Sequence, residues 1–183
     1  MSSQAAVHSV IKNATGRSDW RVAVVLGSGL SELAAALLHV DPIPFSHIDG
    51  MPASGVAGHA GALYAGDVGM TPTLIFAGRV HLYEGHDIAE VTYPVRAAIG
   101  AGCNVVILTN AAGGINPDLE VGAPCLISDH INLTGRSPLF GPNDDSVGPR
   151  FLDLSEVYDD ELRALTKSVD PGLSEGVYAG LLG

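Results

Sequence analysis

The chain has 183 residues, enough for one domain with a real core, and only 16% of them are charged, against about 25% in an average globular domain. Its 20 acidic and 9 basic residues leave a net charge of −11, which sets it against nucleic acid and anionic membranes as partners. No apolar run approaches the roughly 20 residues that cross a bilayer, and residues 1–20 lack the apolar stretch of a signal peptide, so a soluble cytoplasmic protein is expected.

In chain order, the apolar run Val22–Leu26 predicts a strand that ends in Gly27-Ser28-Gly29, and residues 31–40 follow with helical spacing. Residues 63–68 and 73–77 predict two more strands. A helix is expected through residues 95–101, with Pro94 in its first turn, where a missing N–H costs little. Residues 104–109 predict a buried strand, residues 110–114 a turn of small residues, and residues 124–128 another strand. Residues 155–169 predict an amphipathic helix with Ser155 as N-cap and acidic residues near its start. Residues 176–182 predict a last strand. Apolar β runs alternating with helices indicate an α/β fold, with a mixed, mostly parallel central sheet flanked by helices on both faces. Residues 134–149 are the only long irregular stretch expected. Cys103 and Cys125 lie apart without CxxC spacing and are expected as buried, reduced thiols, with no disulfide framework and no metal site.

The residues with chemistry gather at the ends of these runs. Gly27-Ser28-Gly29-Leu30 occupies a strand-to-helix turn, where glycines let the backbone approach an anion and Ser28 adds a hydroxyl. The same glycines equally suit a tight turn and nothing more. A dinucleotide fingerprint is excluded, because its third glycine would fall at Glu32, and no GK[ST] follows. Gly58-His59-Ala60-Gly61 sets a histidine between glycines; alone, such a residue is more often a surface histidine than a ligand. Gly78-Arg79-Val80-His81-Leu82-Tyr83-Glu84-Gly85 follows an apolar strand, at the end where open α/β sheets bind ligands. In an extended segment Arg79, His81 and Tyr83 point the same way. An arginine fork with an imidazole and a hydroxyl can receive phosphate and a sugar hydroxyl. Glu84 either pairs with Arg79 or orients His81, and the competing reading of the whole stretch is a salt-bridged strand end. Thr109-Asn110-Ala111-Ala112-Gly113-Gly114 offers backbone N–H groups and one amide for close approach to phosphate or ribose.

Together these stretches resemble the trimeric purine nucleoside phosphorylases. The motifs above run in that family's order, and they continue with Ser128-Asp129-His130-Ile131-Asn132-Leu133 and Gly141-Pro142-Asn143-Asp144, polar loop segments that say little by themselves. The match covers nearly all of the chain, and its ordered motifs are specific together where any one is not. The resemblance implies that Ser28, His59, Arg79, His81 and the backbone at Ala111 bind phosphate. It places Tyr83 and Asn110 on the ribose or nucleoside side and makes His81 and Glu84 the catalytic pair. Phe151 matches the aromatic that members lend to a neighbouring subunit's site, which implies a homotrimer. The implied reaction is phosphorolysis of purine ribonucleosides or deoxyribonucleosides to free base and (deoxy)ribose 1-phosphate, in purine salvage. Its sugar develops oxocarbenium character, so positioned phosphate supplies much of the catalysis. Phosphate is a co-substrate, and no metal or organic cofactor is implied.

One departure stands out. Relatives continue past Val177-Tyr178-Ala179-Gly180 into a proline-rich turn with an aromatic and a base-reading Glu, and Leu182 stands where a proline is expected. The resemblance therefore implies a single domain over residues 1–183 that is the N-terminal portion of the family domain, roughly its first two thirds. Weak or no turnover and marginal stability are expected of such a chain alone, with base preference unread. The alternatives are a methylthioadenosine phosphorylase-type relative, a non-catalytic phosphate-binding module and an inert truncated fragment. Asn110-Ala111-Ala112-Gly113-Gly114 speaks against the first, because that branch usually has Thr-Ala-Cys-Gly-Ser there.

Overall fold

Each short apolar run that ends in turn residues becomes a strand, and the alternation along those strands decides which side each residue buries. The computed structural model describes residues 4–52, 61–143, 145 and 148–182. They form two compact units, Met1–Ala111 and Ala112–Gly183. In the first unit α1 (Gln4–Thr15) precedes β1 (Val22–Leu26), α2 (Glu32–Leu37), β2 (Ile43–Pro44), β3 (Ala62–Val68), β4 (Thr71–Ala77), α3 (Ile88–Gly100) and β5 (Val105–Leu108). The five strands make one sheet in the order β2-β3-β4-β1-β5. β1 runs parallel to both β4 and β5, whereas β3 is antiparallel to β2 and to β4. The mixed α/β sheet expected from the sequence is therefore present.

Both faces of this sheet are covered, by period-two alternation. Ala23 and Val25 of β1, with Leu74 and Phe76 of β4, pack in a buried cluster with Val10 and Ile11 of α1 and Ala97 and Ala98 of α3. Leu26, Ile75 and Ala77 turn to the opposite side and meet Ala34 of α2 and Leu38. The corner between α1 and β1 is pinned by Arg17, which pairs with Asp19 and with Asp67 of β3 and stacks on the Trp20 ring at 4.8 Å. The Trp20 indole donates to the Arg17 carbonyl at 3.1 Å. Arg17 and its hydrogen bond hold the Asp19 carboxyl below its ordinary range.

Several expected boundaries move. Pro94 is not in the first turn of its helix: α3 begins at Ile88, and Pro94 lies buried inside it. The start is set earlier by Asp87, whose side chain accepts from Glu90 N at 2.9 Å while Glu90 Oε2 accepts from Asp87 N at 2.9 Å. β5 is an edge strand with Ile107 and Leu108 exposed, not a fully buried one. Residues 109–124 hold neither helix nor strand, so residues 134–149 are not the only long irregular stretch. The sequence reading has neither α1 nor β2; β2 is only two residues long, whereas Val7, Val10, Ile11 and Ala14 give α1 a helical apolar spacing that was there to be read.

In the second unit β6 (Cys125–Asn132) pairs in parallel with β7 (Ser174–Gly180), with an irregularity between Ile127 and Asp129. Residues 129–132, expected as a polar loop, thus continue the strand, because backbone pairing with β7 overrides the low β propensity of Asp129 and Asn132. α4 (Asp160–Val169) is capped by Asp159, not Ser155: Asp159 Oδ1 accepts from Leu162 N at 2.8 Å. Arg163 of α4 pairs with Asp160 and Glu175, and Lys167 reaches Glu175 at 2.8 Å. Cys103 is buried as expected, but Cys125, the first residue of β6, is exposed. No helix of the described residues is long and apolar enough to cross a membrane.

Candidate functional site

The sheet order places three parallel carboxyl ends side by side, those of β4, β1 and β5. The chain leaves β1 to build the β2–β4 side and then crosses through α3 to β5 on the other side, so the order reverses around β1. Open α/β sheets bind ligands outside the carboxyl ends at such a point. The segments singled out in the sequence emerge there: Gly27-Ser28-Gly29 from β1, Gly78-Arg79 from β4, and Thr109-Asn110-Ala111 from β5.

Contacts between these segments are direct. Gly27 N donates to Thr109 Oγ1 at 2.9 Å, and Thr109 Oγ1 donates to Val25 O at 3.1 Å. A Cβ on Gly27 would lie 2.7 Å from Thr109 O and 2.9 Å from Asn110 Cα, so glycine is required for this approach. Gly29 takes φ +83° as the turn opens toward α2, and Ser28 lies exposed between the two glycines. Arg79 Nη1 donates to Thr109 O at 2.6 Å, which fixes the guanidinium at the same edge. Asn110 and Ala111 are exposed, and the Asn110 amide donates to Ala111 O at 3.3 Å.

Beyond Arg79 the buried Val80 anchors the segment. His81 is extended, and a 3-10 turn over Leu82–Glu84 follows. The strict alternation expected for Arg79, His81 and Tyr83 therefore stops at His81. Tyr83 still meets His81, because the turn stacks the two rings with centroids 5.0 Å apart and planes 18° from parallel. Tyr83 is 70% exposed. Glu84 does meet His81: Glu84 Oε1 lies 2.7 Å from His81 Nδ1 and accepts from His81 N at 2.9 Å. The Glu84 side chain is only 8% exposed. An ionised carboxylate can only accept, so in the bond to an ionised Glu84 the His81 Nδ1 is the donor.

His59 lies outside the described residues. Its motif's last residue, Gly61, is described, and the Gly61 Cα lies 3.5 Å from where a Cβ on Gly78 would be. Phe151 belongs to the second unit and is 88% exposed. Its neighbour Arg150 braces the preceding loop by donating to Gly141 O at 2.6 Å. Nothing in the sequence assigns Thr109 a role; its contacts with the end of β1 and with Arg79 after β4 do. Among the described residues no cluster of His, Cys, Asp and Glu could hold a metal ion.

A family profile described as the phosphorylase superfamily matches residues 21–183. Purine nucleoside phosphorylase of Mycobacterium tuberculosis is 49% identical over 175 residues, which are 95% of this chain and 63% of that protein. Purine nucleoside phosphorylase 1 of Geobacillus stearothermophilus is 45% identical over 167 residues, 89% of this chain and 61% of that one. Among solved structures, isoform 2 of the Schistosoma mansoni purine nucleoside phosphorylase, in complex with cytosine and ribose-1-phosphate, has a TM-score of 0.84 at 36% identity, covering 96% of this chain and 65% of that one. The S. mansoni enzyme in complex with inosine has a TM-score of 0.84 at 32% identity, with 96% of this chain and 65% of that one covered. The chain thus spans 63% of the length of the M. tuberculosis relative.

Proposed function

This chain belongs to the phosphorylase superfamily, among its purine nucleoside phosphorylases, and from that premise we propose that it forms the phosphate- and ribose-binding portion of an enzyme that splits purine nucleosides with phosphate. Residues 1–183 are then one continuous portion of a family domain. Ser28, His59, Arg79, His81 and the Ala111 N–H hold phosphate, while Tyr83 and Asn110 meet the ribose. Glu84 holds His81 in place through Nδ1. Phe151 completes the nucleoside site of a neighbouring subunit in a homotrimer. The bond from the anomeric carbon to the purine nitrogen breaks with its electron pair leaving on the base. A phosphate oxygen then bonds to that carbon and the proton of hydrogen phosphate passes to the departing base, giving free purine and ribose 1-phosphate or its deoxy counterpart. The charge that develops on the sugar is met by the bound phosphate, so positioning and electrostatics carry the catalysis. Phosphate enters as co-substrate, with no metal or organic cofactor in the scheme, and the reaction belongs to purine salvage in the cytoplasm.

What supports this reading is the convergence of Ser28, Arg79 and the Asn110 and Ala111 backbone at one sheet edge, with Arg79 anchored 2.6 Å from Thr109 O. Charge-assisted hydrogen bonds contribute about 1.5–3 kcal/mol each, so a few can hold phosphate on an acidic protein. The test is release of hypoxanthine from inosine by the purified chain, with and without phosphate. Phosphate-dependent release that is lost in Arg79→Ala is the expected result. Release that ignores phosphate, or that survives Arg79→Ala unchanged, overturns the reading.

A further inference from the structure

We propose that Thr109 is a positioning residue for the phosphate cradle, holding the ends of β1, β4 and β5 in one register; the inference rests on the phosphorylase reading above. A threonine hydroxyl has one donor and two acceptor sites. Here it donates to Val25 O at 3.1 Å and accepts from Gly27 N at 2.9 Å. The backbone of the same residue donates from N to Val25 O at 3.0 Å and accepts Arg79 Nη1 at 2.6 Å. One residue thus joins the turn before Ser28, the guanidinium of Arg79, and the backbone that continues into Asn110 and Ala111.

The arrangement leaves little slack. Gly27 is buried, and a single added carbon there would stand 2.7 Å from Thr109 O. If the hydroxyl is replaced by a methyl, the buried Gly27 N–H loses its acceptor and the β1 and β5 ends must separate to rehydrate it. That separation moves Ser28 and Asn110 directly, since each follows its tethered neighbour in the chain, and Ala111 moves with Asn110. It also moves the carbonyl that orients Arg79. Thr109 belongs to neither buried apolar cluster. Its side-chain bonds lie wholly at the ligand edge, so their loss is read in phosphate binding more than in the core. A guanidinium already tethered at one nitrogen also loses less freedom when it closes on an oxyanion.

The experiment compares the whole chain with Thr109→Val, which keeps the shape and removes the hydroxyl, and with Thr109→Ser, which keeps the hydroxyl. Binding of inorganic phosphate is measured by calorimetry, beside thermal melts and hydrogen exchange at the Gly27 amide. The Val variant is expected to bind phosphate about tenfold more weakly, the loss that follows from one buried hydrogen bond. Its Gly27 amide exchanges faster, and its melting point falls by only the few degrees that one lost buried hydrogen bond accounts for. The Ser variant restores phosphate affinity to within about twofold. Parent-like phosphate binding by the Val variant overturns the role of Thr109 and leaves the phosphorylase reading standing. A parent chain that binds no phosphate overturns that reading and this inference with it. Should the Val variant fail to fold, the Ser variant decides: weakened phosphate binding despite its hydroxyl overturns the proposal, and retained binding supports it.

Discussion

Glu84 shows how a single residue acts through its neighbours. Its carboxylate is nearly buried, and one oxygen serves both the backbone N–H and the Nδ1 of His81. Glu84→Gln keeps the shape but presents a neutral amide, which removes about 1.5–3 kcal/mol of charge-assisted bonding. His81 is expected to lose its fixed Nδ1–H tautomer in that variant, read from imidazole nitrogen shifts in nuclear magnetic resonance. An unchanged tautomer in the variant would show that the carboxylate is not what sets it. Cys103 makes a second case, with a thiol pushed by burial from 9.0 up to about 11. Because the folded value lies above the unfolded one, this stabilisation is complete below about pH 9 and fades as the pH approaches about 11. Urea titrations across that window are expected to show a steeper alkaline decline for the parent than for Cys103→Ala. Parallel declines would mean that the thiol ionises alike in both states.

At the scale of elements, α3 carries the most explicit local instruction. Asp87 and Glu90 exchange side-chain and backbone bonds at 2.9 Å, and the helix then runs on through Pro94. A proline there gives up the N–H that would bond to the Glu90 carbonyl, a loss tolerated because Pro94, Ala97 and Ala98 bury their face. The cap therefore matters more than usual. Asp87→Ala is expected to lower stability by about 1 kcal/mol, within the range for N-cap removal, by chemical denaturation. A change below about 0.3 kcal/mol would mean that burial alone sets the start of α3. The 3-10 turn over Leu82–Glu84 is the other telling element, because it ends the extended run and yet stacks Tyr83 on His81.

Across the whole molecule, burial is uneven. Every buried residue among those described lies before Ala112, most of them in two clusters on opposite faces of the five-stranded sheet. From Ala112 onward no described residue is buried, and Ile131, Leu162, Leu165, Val169 and Val177 are exposed. Local opening costs least where few apolar contacts must break. Amide hydrogen exchange read by mass spectrometry is therefore expected to protect β4 strongly and β6 far less in the isolated chain. Equal protection of the two strands would contradict that division. In a homotrimer, as proposed, added contacts would raise protection wherever subunits meet.

Much of this was legible without coordinates. Runs such as residues 73–77 announced strands because a sheet covered on both faces demands continuous apolar sequence. The motifs after them marked the candidate site, because glycines and small residues at strand ends permit close approach to a ligand. Boundaries were read less well. Pairing with β7 carried β6 through residues 129–132, and side-chain caps at Asp87 and Asp159 moved two helix starts. The exposure of Cys125 and of Ile107 and Leu108 was hidden too, since burial depends on what lies alongside a strand and not on its own composition. The amino-acid sequence by itself determined the strands, the turns and the residue types gathered at their ends, because periodicity and turn chemistry are local. Only the tertiary structure decided that Thr109 joins Gly27 to Arg79 and that Glu84 turns to His81. Bonds between residues far apart in the chain, such as Gly27 and Thr109, exist only once the sheet order brings β4, β1 and β5 together.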